Sequence, residues 1–240
     1  MASRPNLLLL PGLLCDATVW KDQLRLLGAR ADCHVPDYGS LDSLGAMAQL
    51  ALDALPPGPF SLAGHSMGGR VALEVLRLAP RRVLRLALLD TGYEGLAGGA
   101  GGEQEKAGRF KLLAQARTGG MRVMGSAWAR GMVHASRLDT PLFDEILDMI
   151  ERQTPVMFEA QITALLGRPD ATQLLGRIAV PTLVLCGRDD QWSPLARHEQ
   201  MAALIPGSRL NVVEDSGHMV TMEQPDAVGK ALAQWLSWTA

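Results

Sequence analysis

Gly64-His65-Ser66-Met67-Gly68 places a serine between two glycines at the spacing Gly-x-Ser-x-Gly. A serine hydroxyl is a weak nucleophile until a base removes its proton, and that base needs an acid to orient it. Two later stretches offer such partners. Asp190 lies in Cys186-Gly187-Arg188-Asp189-Asp190-Gln191-Trp192-Ser193-Pro194, and His218 lies in Glu214-Asp215-Ser216-Gly217-His218-Met219. Together the three residue types suit acyl transfer: Ser66 attacks a carbonyl, His218 carries the proton, and Asp190 holds the imidazole. The glycines have a mechanical reason. A sharp strand-to-helix turn exposes the hydroxyl above a sheet, and side chains at Gly64 and Gly68 would collide where strand and helix meet. The Met67 amide, opening the helix, would then face the oxygen that turns negative in the reaction. A plain helix start capped by Ser66 would use the same residues.

Rival groups are weaker fits. His65 is expected to pack beside the turn, His34 to begin a strand, His134 to fall in an insertion, and His198 to lie on a helix. For each, a packed or solvated role is the plainer reading. Asp90 ends a predicted strand and is the rival acid. Asp189 should face away if Asp190 faces the imidazole, leaving it a loop hydrogen bond.

These residues need elements to carry them. Leu7–Leu10 is a continuous aliphatic run ended by Pro11-Gly12, as a strand buried on both faces should read. A helix is expected over Ala17–Leu27, a strand over Cys33–Pro36, and a helix over Leu44–Leu55 that stops at Pro56-Pro57-Gly58-Pro59. Phe60–Ala63 reads as a strand, Met67–Ala79 as a helix closed by Pro80, and Val83–Leu89 as a fourth strand. This alternation implies a parallel sheet with helices on both faces. Gly92–Gly102 is glycine-rich, and Glu103 to about Leu175 offers only helical periodicity. Strands resume at Thr182–Cys186 and Arg209–Val213, before a last helix over Asp226–Leu236. Residues 1–94 and 176–240 therefore form one core, and 95–175 a helical lid. Ser66, Asp190 and His218 all fall at the C-terminal edge of the sheet, where open α/β sheets gather ligands.

Composition narrows the function further. With 23 Lys+Arg against 25 Asp+Glu in 240 residues, the net charge of −2 leaves no basic field for nucleic acid. An apolar fraction of 48% is too high for extensive disorder, and a chain this long needs no disulfide or metal to hold a core. No apolar run approaches the roughly 18 residues of a membrane span. Asn6–Cys15 could pass for a short lipoprotein-type signal, but Pro11-Gly12 breaks its apolar run and Leu14 stands where a cleavage site wants a small residue. Cys15, Cys33 and Cys186 are odd in number and lack metal-ligand spacing, so buried thiols in a reducing cytoplasm are expected. No cofactor and no metal are implied.

The chain resembles the α/β-hydrolase superfamily, near its small esterase, lactonase and C–C hydrolase-like branch. The likeness rests on Leu10-Pro11-Gly12-Leu13-Leu14 with Trp20 downstream, the Gly64–Gly69 turn, Gly187 through Pro194, and Gly217-His218 followed by Glu223-Gln224-Pro225. It spans nearly the whole chain. It implies an α/β-hydrolase fold with about six strands, mostly parallel, lacking the antiparallel strands many relatives carry at the N-terminal edge. It also places the acid three residues after the strand-ending glycine, which selects Asp190 over Asp189, and makes the Leu13 amide the second oxyanion donor beside Met67. Pro11 departs from the His that many relatives carry there.

The lid holds five of the eleven methionines and three of the four phenylalanines, an adaptable surface for apolar ligands. Trp128, Trp192, Met132 and Met219 are the expected pocket residues. Only Arg70 and Arg188 are cationic within the motifs, so a neutral ester is expected rather than a doubly anionic substrate. The reading is a carboxylic ester hydrolase for small to medium apolar esters, monomeric or homodimeric, with a small-molecule partner, no nucleic acid and no membrane. The same three residues also serve lactonases, C–C hydrolases and lyases, and a non-catalytic receptor of this fold would keep the pocket. Dehalogenases and epoxide hydrolases carry Asp where Ser66 stands.

Overall fold

The computed structural model describes residues 4–239. Among them, six strands form one sheet in the order β2-β1-β3-β4-β5-β6, and every neighbouring pair is parallel. The chain begins with β1 (Asn6–Leu10), a 3₁₀ turn over Ala17–Trp20, and α1 (Lys21–Leu27). It continues through β2 (Asp32–His34), α2 (Leu44–Asp53), β3 (Phe60–His65), α3 (Met67–Leu78) and β4 (Val83–Leu89). Leu7–Leu10 are fully buried, as an unbroken aliphatic run between two helical layers requires.

A helical segment then separates β4 from the rest of the sheet. It comprises α4 (Gly99–Gly119), α5 (Met121–Trp128), α6 (Pro141–Glu151), α7 (Pro155–Leu166) and the short α8 (Thr172–Leu175). The sheet resumes with β5 (Thr182–Gly187), α9 (Leu195–Leu204) and β6 (Arg209–Val213), and closes with α10 (Val220–Glu223) and α11 (Pro225–Trp235).

Most differences from expectation lie at boundaries. The single helix expected over Ala17–Leu27 is a 3₁₀ turn followed by α1, and β2 starts and stops earlier than Cys33–Pro36, so His34 ends that strand instead of beginning it. The glycine-rich stretch is not loop throughout: α4 starts at Gly99 and takes Gly101 and Gly102 into its first turn. Glycine lowers helix propensity, but 21 residues and contacts with α5 and α7 override it. Among the described residues no helix is long and apolar enough to cross a membrane. Residues 1–3 and 240, at the outer ends of the expected core, lie outside the description.

The helical segment is tied to the sheet by polar contacts. Gln161 on α7 accepts from the Leu14 amide at 2.8 Å, Arg152 binds Asp16 at 2.8 Å, and Lys21 pairs with Glu145. The Met132 carbonyl accepts from the His218 amide at 2.6 Å.

Candidate active site

The turn between β3 and α3 is built from backbone contacts too close for side chains. A Cβ at Gly64 would stand 2.2 Å from the Gly68 carbonyl oxygen, and one at Gly68 would stand 2.2 Å from that of Leu10. Glycine at both positions lets β3, α3 and β1 meet. Ser66 pays for the sharpness with φ 55° and ψ −119°, a left-handed-side conformation costing a residue with a Cβ roughly 1–3 kcal/mol. Two bonds fix it there: the Ser66 amide donates to Leu89 at 2.8 Å, and the Thr91 hydroxyl donates to the Ser66 carbonyl at 2.6 Å. The Ser66 side chain makes no capping bond, so the hydroxyl is left for another partner.

That partner is His218. Ser66 Oγ lies 2.8 Å from His218 Nε2, and His218 Nδ1 lies 2.8 Å from Asp190 Oδ2. The other oxygen, Asp190 Oδ1, accepts from the Trp192 and Ser193 amides at 2.8 Å each, which locks the carboxylate before any ligand arrives. Burial pushes the Asp190 carboxyl up, but the His218 ring and the two amides outweigh it and hold the carboxyl below its usual range. With Nδ1–H donating to Asp190, Nε2 is the acceptor for the Ser66 proton.

Asp90, the rival acid, is fully buried and does not touch His218. Its two oxygens accept from the Gly187 amide at 3.0 Å and the Val220 amide at 3.1 Å, joining the end of β5 to the loop after His218. Burial, then the Asp190 charge, push its carboxyl well above the ordinary range. Asp189 has a half-exposed side chain 3.9 Å from His134 Nε2. His65 packs against the turn as expected: its Nε2 donates to the His218 carbonyl at 2.7 Å, and burial, then the nearby His218, drive its pKa down to about 3. His198 is fully buried and accepts from the Thr91 amide at 3.0 Å.

A cavity of about 440 Å³ opens over Ser66 and His218. Leu13 and Met67 line it at the turn; Leu112, Trp128, Met132 and Leu165 reach in from the helical segment, and Trp192 from the acid loop. The Trp192 ring lies 5.2 Å from the His218 ring and 4.9 Å from Trp128, so an aromatic stack runs from the imidazole into the helical layer. Met67 opens α3, so its amide has no carbonyl one turn earlier to bind.

Met219 does not belong to this wall. It is fully buried beneath the site, and its amide donates to Glu223 Oε1 at 3.1 Å. The residue after His218 turns inward because α10 begins one residue later. Of the lid methionines, Met132 reaches the cavity, while Met121, Met124 and Met149 pack in the core.

Sequence reasoning assigned no role to Glu223. Its Oε1 accepts from the Gly217 and Met219 amides and its Oε2 from the His134 amide at 2.8 Å, clasping both ends of the His218 loop to the helical segment. The signal was a Glu five residues after the histidine, already visible as a family landmark. Four arginines line the cavity, Arg70, Arg109, Arg168 and Arg197; sequence reasoning named Arg70 as a cation of the turn motif without placing it in the pocket, and missed the others. Three of them lie outside the motifs, on elements that approach one another only in the folded chain.

A parallel sheet that presents an alcohol, an imidazole and a carboxylate in line at its C-terminal edge defines a class of protein equipped for nucleophilic acyl chemistry. The chain belongs to the alpha/beta hydrolase family, whose sequence model matches residues 7–231. It is similar to a thermophilic esterase from Thermogutta terrifontis, solved with malate bound, at 30% identity and a TM-score of 0.86, covering 98% of this chain and 90% of that one. It is 26% identical over 234 residues to the pimeloyl-[acyl-carrier protein] methyl ester esterase of Nitrosomonas europaea, covering 92% of each. It also matches polyketide synthase ThaQ of Burkholderia thailandensis at 27% identity over 254 aligned positions. That match takes in 98% of this chain and spans only 12% of the relative.

Proposed function

We propose that this hydrolase is a serine carboxylic ester hydrolase working through an acyl-enzyme. The observation that carries the reading is the unbroken relay of two 2.8 Å contacts from Ser66 Oγ through His218 to Asp190. Ser66 attacks the ester carbonyl while His218 Nε2 takes its proton. Asp190 keeps the ring in the Nδ1–H tautomer and stabilises its charged form. The Leu13 and Met67 amides receive the oxyanion; such a donor typically contributes a factor of about 10² to 10³ in turnover. Collapse expels the alcohol with the proton His218 holds. Water, deprotonated by the same imidazole, then releases the acid.

The body of the substrate is apolar and short to medium in length, because leucine, methionine and tryptophan side chains form a continuous part of the wall of a cavity of this size. Residues 95–175 act as a cap over the acyl-enzyme, and the unpaired thiols suit a reducing cytoplasm.

Ser66→Ala is expected to abolish hydrolysis of p-nitrophenyl butyrate and labelling by a fluorophosphonate, with the thermal midpoint preserved. Retained turnover would reject the mechanism, and absence of wild-type labelling would favour a receptor of the same fold. Activity is also expected to fall in acid, since a protonated imidazole cannot accept the serine proton.

A further inference from the structure

The cavity walls are more cationic than an apolar ester requires. Arg168, whose side chain is 9% exposed, and Arg109 both bind Glu105, and Arg168 does so through a two-pronged pair at 2.7 and 2.8 Å. Those two guanidinium groups are engaged by the one carboxylate. Arg70 and Arg197 are different. Arg70 donates to the Glu94 carbonyl at 2.7 Å, and among the described residues it has no carboxylate partner. Arg197 donates to the Trp192 carbonyl at 3.0 Å, and the nearest carboxylate, on the exposed side chain of Glu94, stands 3.9 Å away.

The two meet at Gly92. A Cβ there would lie 2.6 Å from Arg70 Nη2 and 3.3 Å from Arg197 Cδ, so glycine is what lets both side chains close on one point of the wall. Two like charges gathered in a partly dry pocket are costly unless an anion joins them. Burial, then repulsion from Arg168 and Arg197, pulls Arg70 down to about 9. Arg70 is four residues beyond Ser66 on α3, one helical turn or about 6 Å along the axis.

We propose that Arg70 and Arg197 form a carboxylate subsite in the Ser66 cavity, so that the preferred substrate is the half-ester of a short dicarboxylic acid. The scissile ester sits at Ser66, an apolar chain crosses the leucine and tryptophan wall, and the free carboxylate rests between the two arginines. Guanidinium groups suit a planar carboxylate through paired N–H donors. This rests on the esterase reading for its chemistry, but the anion site is measurable without turnover.

The test is calorimetric titration of Ser66→Ala with monomethyl glutarate and, separately, dimethyl glutarate, two ligands that differ by one charge. The half-ester is expected to bind at least about tenfold more tightly, through charge-assisted hydrogen bonds, with the gap narrowing as salt rises. Adding Arg70→Met should remove most of that gap, and adding Arg197→Gln should remove part of it. Equal affinity for the two ligands, or a gap untouched by both arginine changes, overturns the subsite. Wild-type cleavage of dimethyl glutarate without discrimination by Ser66→Ala would sink this inference and leave the esterase standing. Discrimination without any cleavage of either ester would do the reverse.

Discussion

Two buried aspartates lie just beyond the ends of neighbouring strands, within reach of the same loop, yet their oxygens are used differently. Asp190 gives one oxygen to His218 and the other to its own loop, whereas Asp90 gives both to backbone amides of distant segments. Asparagine at each position separates the roles. Asp190→Asn should lower kcat by up to about 10⁴-fold by upsetting the imidazole tautomer, with little change in melting temperature. Asp90→Asn sets an amide N–H₂ against a backbone N–H. It should lose about 1–3 kcal/mol of stability in urea denaturation for the donor left unpaired, with a smaller effect on kcat than Asp190→Asn. A larger kcat loss in Asp90→Asn than in Asp190→Asn would exchange the two assignments.

At the scale of elements, the site depends on β1, β3 and α3 approaching closer than side chains allow. Gly68→Ala drives a Cβ into the Leu10 carbonyl, 2.2 Å away, on the far side from the solvent. The strand must give, so the expected cost is about 1–3 kcal/mol of overpacking strain, read as a lower melting temperature. A kcat loss should accompany it, because the Met67 amide moves with the turn. Gly98, whose added Cβ meets nothing within 4 Å, is the control, and its alanine variant should melt near the wild type. This layer was largely legible in the sequence. Aliphatic runs ended by Pro-Gly or Asp name buried strands, and Gly64 and Gly68 announce the turn. What the linear pattern did not carry was the start of α4 among glycines, where tertiary contact outweighs local propensity.

For the molecule as a whole, two buried neutral histidines contribute to the response to acid. His198 accepts from the Thr91 amide through Nε2 and offers Nδ1 to the Pro194 carbonyl, so a second proton would confront an N–H with an N–H. Burial holds its pKa down to about 4, and that of His65 down to about 3. Both folded values lie below the ordinary histidine value of about 6.5, so the unfolded chain binds more protons in between. Their contribution is therefore whole above about pH 6.5 and is lost as pH falls toward 4 and then 3. Asp90 and Glu223, whose folded values are raised by burial, act in the opposite sense, favouring the folded chain as pH falls. The His198 share is isolated by comparison: melting temperature against pH should be flatter between 6.5 and 4 for His198→Gln than for the wild type. Parallel curves would remove His198 from the account.

The same global scale decides what a sequence can reveal about the site. Ser66, Asp190 and His218 were legible because each sits in a local motif whose residues serve the turn around it. Met219 was misplaced because the direction of one side chain after His218 depends on Asp90 and Glu223, contributed by other elements. The cluster of arginines was invisible for a similar reason: Arg70, named only as a cation of the turn motif, and Arg109, Arg168 and Arg197 come from four segments, and only folding puts them around one space.

The hydrogen bond from the His218 amide to the Met132 carbonyl, with Glu223 clasping His134, makes the proton carrier a hinge-pin between sheet and helices. Raising the helical layer at that end would pull the imidazole off its serine. Gln104 and Gly108 on α4 also line the cavity, and no hydrogen bond among the described residues joins either of them to His218. Any displacement of the helical layer at Met132 and any displacement of the imidazole are therefore a single event, so a disturbance of one is felt by the other.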